Sequence, residues 1–201
     1  MNDADETYKA LMEATRQTLA SKGYEGLTMR AVAGQADKSR GLLHYHFENK
    51  DDLVYSLLDH LLERMTASIR DPNVGNPVQE LQHILKWNAY GPDREPSGGD
   101  NYFLAIFALR ARAPFDDEIR HRLTRNYQQV VNECAAVIAG GIEDGTFRPV
   151  GPEETAVFLV TAVDGARNTD LTLERTDTRQ VVFEAIDQYI IPALTIKYNF
   201  D

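Results

Sequence analysis

Two Glu-x-x-His pairs, Glu80/His83 and Glu118/His121, are the residues whose types and spacing come nearest to metal chemistry in this chain. Ferritin-like di-iron bundles place such a pair on each of two helices and a lone Glu on each of two others, so the pattern raises an oxidoreductase as one reading. Two observations count against it. The segment 101–112 carries no acid to bridge metals, and Glu118 and His121 lie off the apolar stripe of Ile119, Leu123 and Val130. His44 and His46 offer two imidazoles with no third ligand nearby. There is no Gly-rich phosphate loop, Cys-x-x-Cys, Gly-x-Ser-x-Gly elbow or His-Glu-x-x-His. We therefore assign no catalytic residue, metal or cofactor, and expect a chain that is not an enzyme.

A second kind of chemistry, the reading of base edges and phosphates, is offered by residues 27–53, LTMRAVAGQADKSRGLLHYHFENKDDL. A guanidinium at Arg40 presents a planar fork suited to guanine O6 and N7, and Leu42 is suited to a thymine methyl. Leu43 and Phe47, four apart, would anchor a short helix and leave Arg40, Leu42, His44, Tyr45 and His46 free. Such groups need a scaffold, and the flanking residues supply one. Thr28 is placed to cap a helix burying Val32, Ala33 and Ala36, a tight turn falls near Asp37, and Ser39 is placed to cap the next helix, to about Tyr45. Two short helices joined by such a turn are the geometry that sets a second helix in the major groove.

Charge agrees with this placement. The net charge of −10 argues at first against a nucleic-acid partner, but residues 1–50 carry seven basic and seven acidic residues, so the whole excess lies in 51–201. Residues 28–50 are net positive, from Arg30, Lys38, Arg40 and Lys50 against Asp37 and Glu48. With 43% hydrophobic and 26% charged residues the chain should fold as an ordinary globular protein. No apolar run is long enough for a membrane span, and the acidic N-terminus does not resemble a signal peptide, so we expect a cytoplasmic protein with no membrane partner. The lone Cys134 falls in the apolar phase of a helix and reads as buried.

The periodicity is helical throughout and implies an all-α fold of about nine helices. Tyr8, Leu11, Met12, Thr15 and Leu19 mark a first helix over about 4–22, closed by Gly23. The two short helices follow, then a fourth from about 50 to 69. The stretch 71–77 is rich in Pro, Gly and Asn and breaks it. Further helices read as 78–90, 101–112, 115–144, 152–173 and 177–197, with a loop at 91–99. We place a three-helix DNA-binding domain at 1–50, a connecting helix at about 50–70 and a second helical domain at 71–201.

Residues 27–53 resemble the helix-turn-helix of the TetR family, whose pattern runs roughly Thr, a small-residue helix, Ser-Lys-Gly-Thr-Leu-Tyr, aromatic-His-Phe, then Lys. The likeness covers about 45 residues. It implies that Thr28 and Lys50 contact phosphates, that Arg40, Gly41, Leu42 and His44 lie where base edges are read, and that Tyr45 and His46 lie where the family touches the backbone. Three positions depart from the pattern: Asp37 stands for the usual turn Gly, Lys38 for a Val, and His44 for a Tyr. Asp tolerates a left-handed conformation at modest cost.

The second half is similar to the ligand-binding and dimerisation domain of BetI- and AcrR-type members, especially over 147–168. The resemblance implies a homodimer built on the last two helices. Ala156, Leu159, Val160, Val163, Gly165 and Ala166 with Val182, Ala185, Ile186, Tyr189 and Ile190 would supply its faces; their other reading is intrachain core. It also implies a small-molecule effector. His83, Trp87 and Tyr90 form one stripe at i, i+4 and i+7, and Phe103, Phe107 and Arg110 a matching one on the next helix. Core packing and a cavity for an amphipathic or anionic ligand are the two readings of these stripes. The function implied is a regulator of transcription, a repressor released from double-stranded operator DNA by its effector. Alternatives are the di-iron oxidoreductase and an architectural DNA binder without effector.

Overall fold

A computed structural model describes residues 3–67, 69, 75–91, 99–175 and 177–196. Most of the breaks expected at 71–77 and 91–99 lie outside the described residues. Every extended element among the described residues is helical: α1 (Asp3–Gly26), α2 (Met29–Gln35), α3 (Arg40–His46), α4 (Lys50–Thr66), α5 (Pro77–Tyr90), α6 (Gly99–Arg110), α7 (Asp117–Glu143), α8 (Pro152–Thr172) and α9 (Thr178–Ala185). A single antiparallel bridge, Phe147 with Thr195, is the one extended pairing described. The all-α expectation holds.

Local signals set the helix ends. Gly23, at φ 65°, breaks α1 where the sequence placed its cap. Asn76 accepts from Gln79 N at the head of α5, with Pro77 in the first turn. The Asp116 carboxylate accepts from the backbone of Glu118 and Ile119 at the head of α7. The last helix departs from a plain 177–197 reading. Beyond α9 the chain widens into a π turn, Ile186–Ile190, before a final helical turn, Ile191–Leu194. Pro192 explains the widening: it has no N–H, and its ring crowds the carbonyl four residues back, so the added residue in the turn gives it room.

The chain packs as two compact units. The first is Met1–Arg64 with Asp93–Arg125, the second Met65–Pro92 with Asn126–Asp201. In the first, α1 lies against α2 and α6, and α2 against α3. Leu11, Met12, Leu19, Leu27, Leu53, Leu57 and Leu58 are buried there, as are Tyr102 and Phe103 of α6. The Tyr102 hydroxyl donates to the Leu61 carbonyl. Residues 99–125 thus pack with the N-terminal segment. In the second unit, α8 lies against α5 and α9, and the core runs through Leu81, Ile84, Leu85, Val130, Cys134, Ile138, Phe147, Leu159 and Val163. Burial pushes the Cys134 thiol up to about 12, so it stays a neutral core residue.

Candidate nucleic-acid interface

The turn between α2 and α3 is built from local hydrogen bonds. The Thr28 hydroxyl accepts from Ala31 N at 3.1 Å and starts α2, which buries Val32 and Ala33. The helix ends with Lys38 N donating to Ala33 O at 3.0 Å and Asp37 N to Gly34 O at 3.4 Å, a closing pattern that requires a left-handed residue. Asp37 takes it, at φ 51°. Ser39 then accepts from Leu42 N at 3.1 Å and starts α3. A seven-residue helix is too short to be stable alone. Leu43 and Phe47, both buried, fix it to the unit, and Tyr8 of α1 lies 6.1 Å from Phe47, ring to ring.

Anchoring that face turns the other outward. Arg40, Gly41 and His44 are exposed, Leu42 is half-buried, and the Tyr45 ring is 83% exposed. His46 is half-buried between neighbours, edge-on to Tyr45 at 5.3 Å and 6.1 Å from Phe47. His44, Tyr45, His46 and Phe47, with Glu48, Asn49, Asp51, Asp52 and Tyr55, line an open cleft of about 700 Å³. The head of α4 is fixed reciprocally: Asp52 N donates to Asn49 Oδ1 at 2.9 Å, while the Asp52 carboxylate accepts from Glu48 N at 3.0 Å.

Lys50, the first residue of α4, is half-buried rather than extended. Its ammonium donates to the Tyr24 carbonyl at 2.8 Å and lies 3.9 Å from the centre of the Tyr24 ring. Burial depresses its pKa; Glu25 and Asp51 oppose the shift and Arg112 adds to it. The Arg112 guanidinium sits 4.6 Å from the same ring. Nearby, Tyr55 donates to Asp116 at 3.3 Å and Arg122 Nε lies 3.0 Å from Asp59. Sequence reasoning missed Tyr24 and Arg112. They lie outside the motif, and periodicity carries no signal of an approach across so long a stretch of chain.

The remaining candidate residues divide between the units. In the second, His83 and Trp87 stack at 6.4 Å and 17°, Trp87 Nε1 donates to Met65 O at 2.5 Å, and His83 Nε2 is buried without a partner. Tyr90 stacks on Phe183 at 5.8 Å, with Arg179 over its ring. In the first, Phe103 is core, Phe107 is half-buried and Arg110 is exposed. Glu118 pairs with Arg122, and His121 is exposed. Among the described residues no three His, Cys, Asp or Glu side chains gather as a metal-holding group.

Most of the residues expected at a dimer interface face the core of their own chain. Ala156, Leu159, Val160, Val163 and Ile186 are buried within the chain, and Val182 and Ala185 are half-buried, so among the eight residues Tyr189 is the one that is well exposed, at 68%. The apolar stripe at i, i+3, i+4 and i+7 of α8 meets its own core. On the roughly opposite side of the same helix lies an outward face of Val157, Phe158, Thr161 and Gly165.

Comparison with known proteins agrees with this geometry. Residues 11–57 match the family described as bacterial regulatory proteins, tetR family. Residues 77–191 match the BetI-type transcriptional repressor, C-terminal. The chain is 34% identical over 95 residues to the HTH-type transcriptional repressor KstR of Rhodococcus jostii, covering 47% of this chain and 45% of that protein. It is 26% identical over 161 residues to the HTH-type transcriptional repressor DhaR of a Mycobacterium species, covering 78% of each. A solved TetR transcription regulator from Haloarcula marismortui superposes with a TM-score of 0.85 at 30% identity, over 96% of this chain and 100% of that one. Among the described residues no helix is long and apolar enough to cross a membrane. With the C-terminal family matched by more than half of this chain and the N-terminal one by the segment that holds the helix-turn-helix, this chain belongs to the TetR family of bacterial regulatory proteins.

Proposed function

We propose that the chain is a homodimeric, cytoplasmic transcriptional repressor that binds a palindrome-like operator through α3 and leaves it when a small molecule binds the second helical region. One observation carries the DNA-binding reading: α3 buries Leu43 and Phe47 and so presents Arg40, His44 and Tyr45 outward together. In this reading Thr28 and Lys50 contact phosphates, Arg40, Gly41, Leu42 and His44 read bases, and Tyr45 and His46 touch the backbone. Residues 1–50 carry recognition, and 71–201 carry sensing and assembly. The named repressors among the relatives support the sign of regulation. Selection of a binding sequence from a random duplex pool tests it. Recovery of a symmetric sequence with two half-sites supports the reading; no enrichment over the starting pool refutes it.

The surface offered to a second copy is the outward face of α8, Val157, Phe158, Thr161 and Gly165, with Val181 and Tyr189 from the last helix. Phe158 is 57% and Tyr189 68% exposed, more large apolar surface than a lone helical pair needs to leave in water. For the effector, His83 supports a site on α5, because a buried Nε2 without a partner beside the Trp87 ring is a polar group suited to a ligand. Trp87 is the single tryptophan of the chain. Its emission, followed while candidate metabolites release the operator, should change with the effector and respond differently in His83→Ala. Operator release with Trp87 emission unmoved would place the site elsewhere.

A further inference from the structure

The Lys50 ammonium has three N–H groups. One is spent on the Tyr24 carbonyl at 2.8 Å, and the ring face below, 3.9 Å from the ring centre, attracts a second. Tyr24 is in place for this because the chain turns at Gly23, φ 65°, which ends the regular part of α1 and brings residue 24 beside the first residue of α4. The ring carries a second cation, Arg112, whose guanidinium carbon is 4.6 Å from its centre and whose Nε is buried without a hydrogen-bond partner. The Tyr24 hydroxyl contributes little: it reaches Asp51 only at 3.5 Å. What the site uses is therefore the face of the ring, held by Arg112 and occupied by Lys50.

We propose that Tyr24 is a positioning residue for DNA binding, holding the Lys50 ammonium with one N–H left for a backbone phosphate, while Arg112, two residues beyond α6, braces the ring. The proposal rests on the reading of Lys50 as a phosphate-binding residue. A lysine free in solvent loses the rotamer freedom of a four-carbon stem when it meets a phosphate. A lysine already seated on a ring has given it up on folding, so the ion pair with phosphate forms with less entropic cost.

The test uses the full chain and the duplex selected from a random pool, with affinity measured by fluorescence anisotropy across a salt series. Lys50→Ala should flatten the dependence of log affinity on log salt by roughly 0.9 for each phosphate no longer neutralised. Tyr24→Phe keeps the face of the ring and should bind within about twofold of the unaltered chain. Tyr24→pentafluorophenylalanine keeps the shape of a ring but reverses its attraction for cations, and should weaken binding about fivefold with the salt slope unchanged. In a Lys50→Ala background the fluorinated ring should cost nothing more, because the cation it served is gone. An equal loss of affinity with and without Lys50 would mean that Tyr24 acts through the fold, and full affinity with the fluorinated ring would mean that the ring does not present Lys50; either overturns the proposal while leaving the role of Lys50 at phosphate standing. A salt slope unchanged in Lys50→Ala is a different pattern, and removes that role and the proposal together.

Discussion

Arg179 Nε donates to Asp170 Oδ2 at 2.8 Å, tying the head of α9 to α8. The same carboxylate accepts from the backbone N–H groups of Thr178 at 2.8 Å and Arg179 at 3.2 Å, so it also caps α9. Its side chain is only 2% exposed. Burial alone would raise its pKa, but the donors from Arg179 and Thr178 outweigh it and hold the carboxyl below the usual carboxylate range. A folded-state pKa below the unfolded one means that this stability is fully present above the unfolded value and is lost as pH falls below about 4. Asp170→Asn should lower stability at neutral pH by about 2 kcal/mol and remove that part of the acid dependence, as read from denaturant midpoints between pH 7 and pH 3.

Arg40 stands first in α3 and is exposed. Arg40→Ala should relax base preference at one position of each half-site, at about 1–3 kcal/mol for each bidentate pair removed. Competition with single-base variants of the selected duplex reads this directly. Unchanged discrimination at every position would remove Arg40 from base reading.

Charges on the two faces of α8 should have different consequences. Phe158→Glu alters the outward face and should yield folded monomers that bind operator weakly, as seen by sedimentation and circular dichroism. Val163→Glu buries a carboxylate among Leu81, Leu159 and their neighbours and should unfold the second unit instead. A folded dimer from Phe158→Glu would move the interface off this face.

Gly141 of α7 is held to its size by Phe147. A Cβ at 141 would stand 2.2 Å from the Phe147 ring and 3.1 Å from Pro77 Cβ. The ring is 1% exposed in the core, with no open side to swing into. Gly141→Ala should therefore destabilise by about 1–3 kcal/mol despite the better helix propensity of alanine. That corresponds to a fall in Tm of several degrees in a calorimetric scan.

What could be read from the sequence is what is decided within a few residues. Thr28 and Ser39 cap because a hydroxyl there meets an N–H three residues on, and Gly23 and Asp37 take left-handed backbone at the helix ends where such residues were expected. Leu43 and Phe47, four apart, set the outward face of α3 by period alone. The family resemblance added roles that no period contains.

The rest was decided by tertiary structure. Both faces of α8 carry small or apolar residues, so the sequence could not choose which would meet its own core; packing against α5 and α9 buried Ala156, Leu159, Val160 and Val163 and left Val157 and Phe158 outside. The packing of 99–125 with the N-terminal segment likewise follows from α6 lying against α1. Tyr24, Lys50 and Arg112 come from three separate stretches of the chain. Each alone reads as an ordinary surface side chain. Only the folded first unit brings two cations to one ring, because the meeting of distant residues depends on the closure of the loops between them and leaves no mark on the local pattern of either.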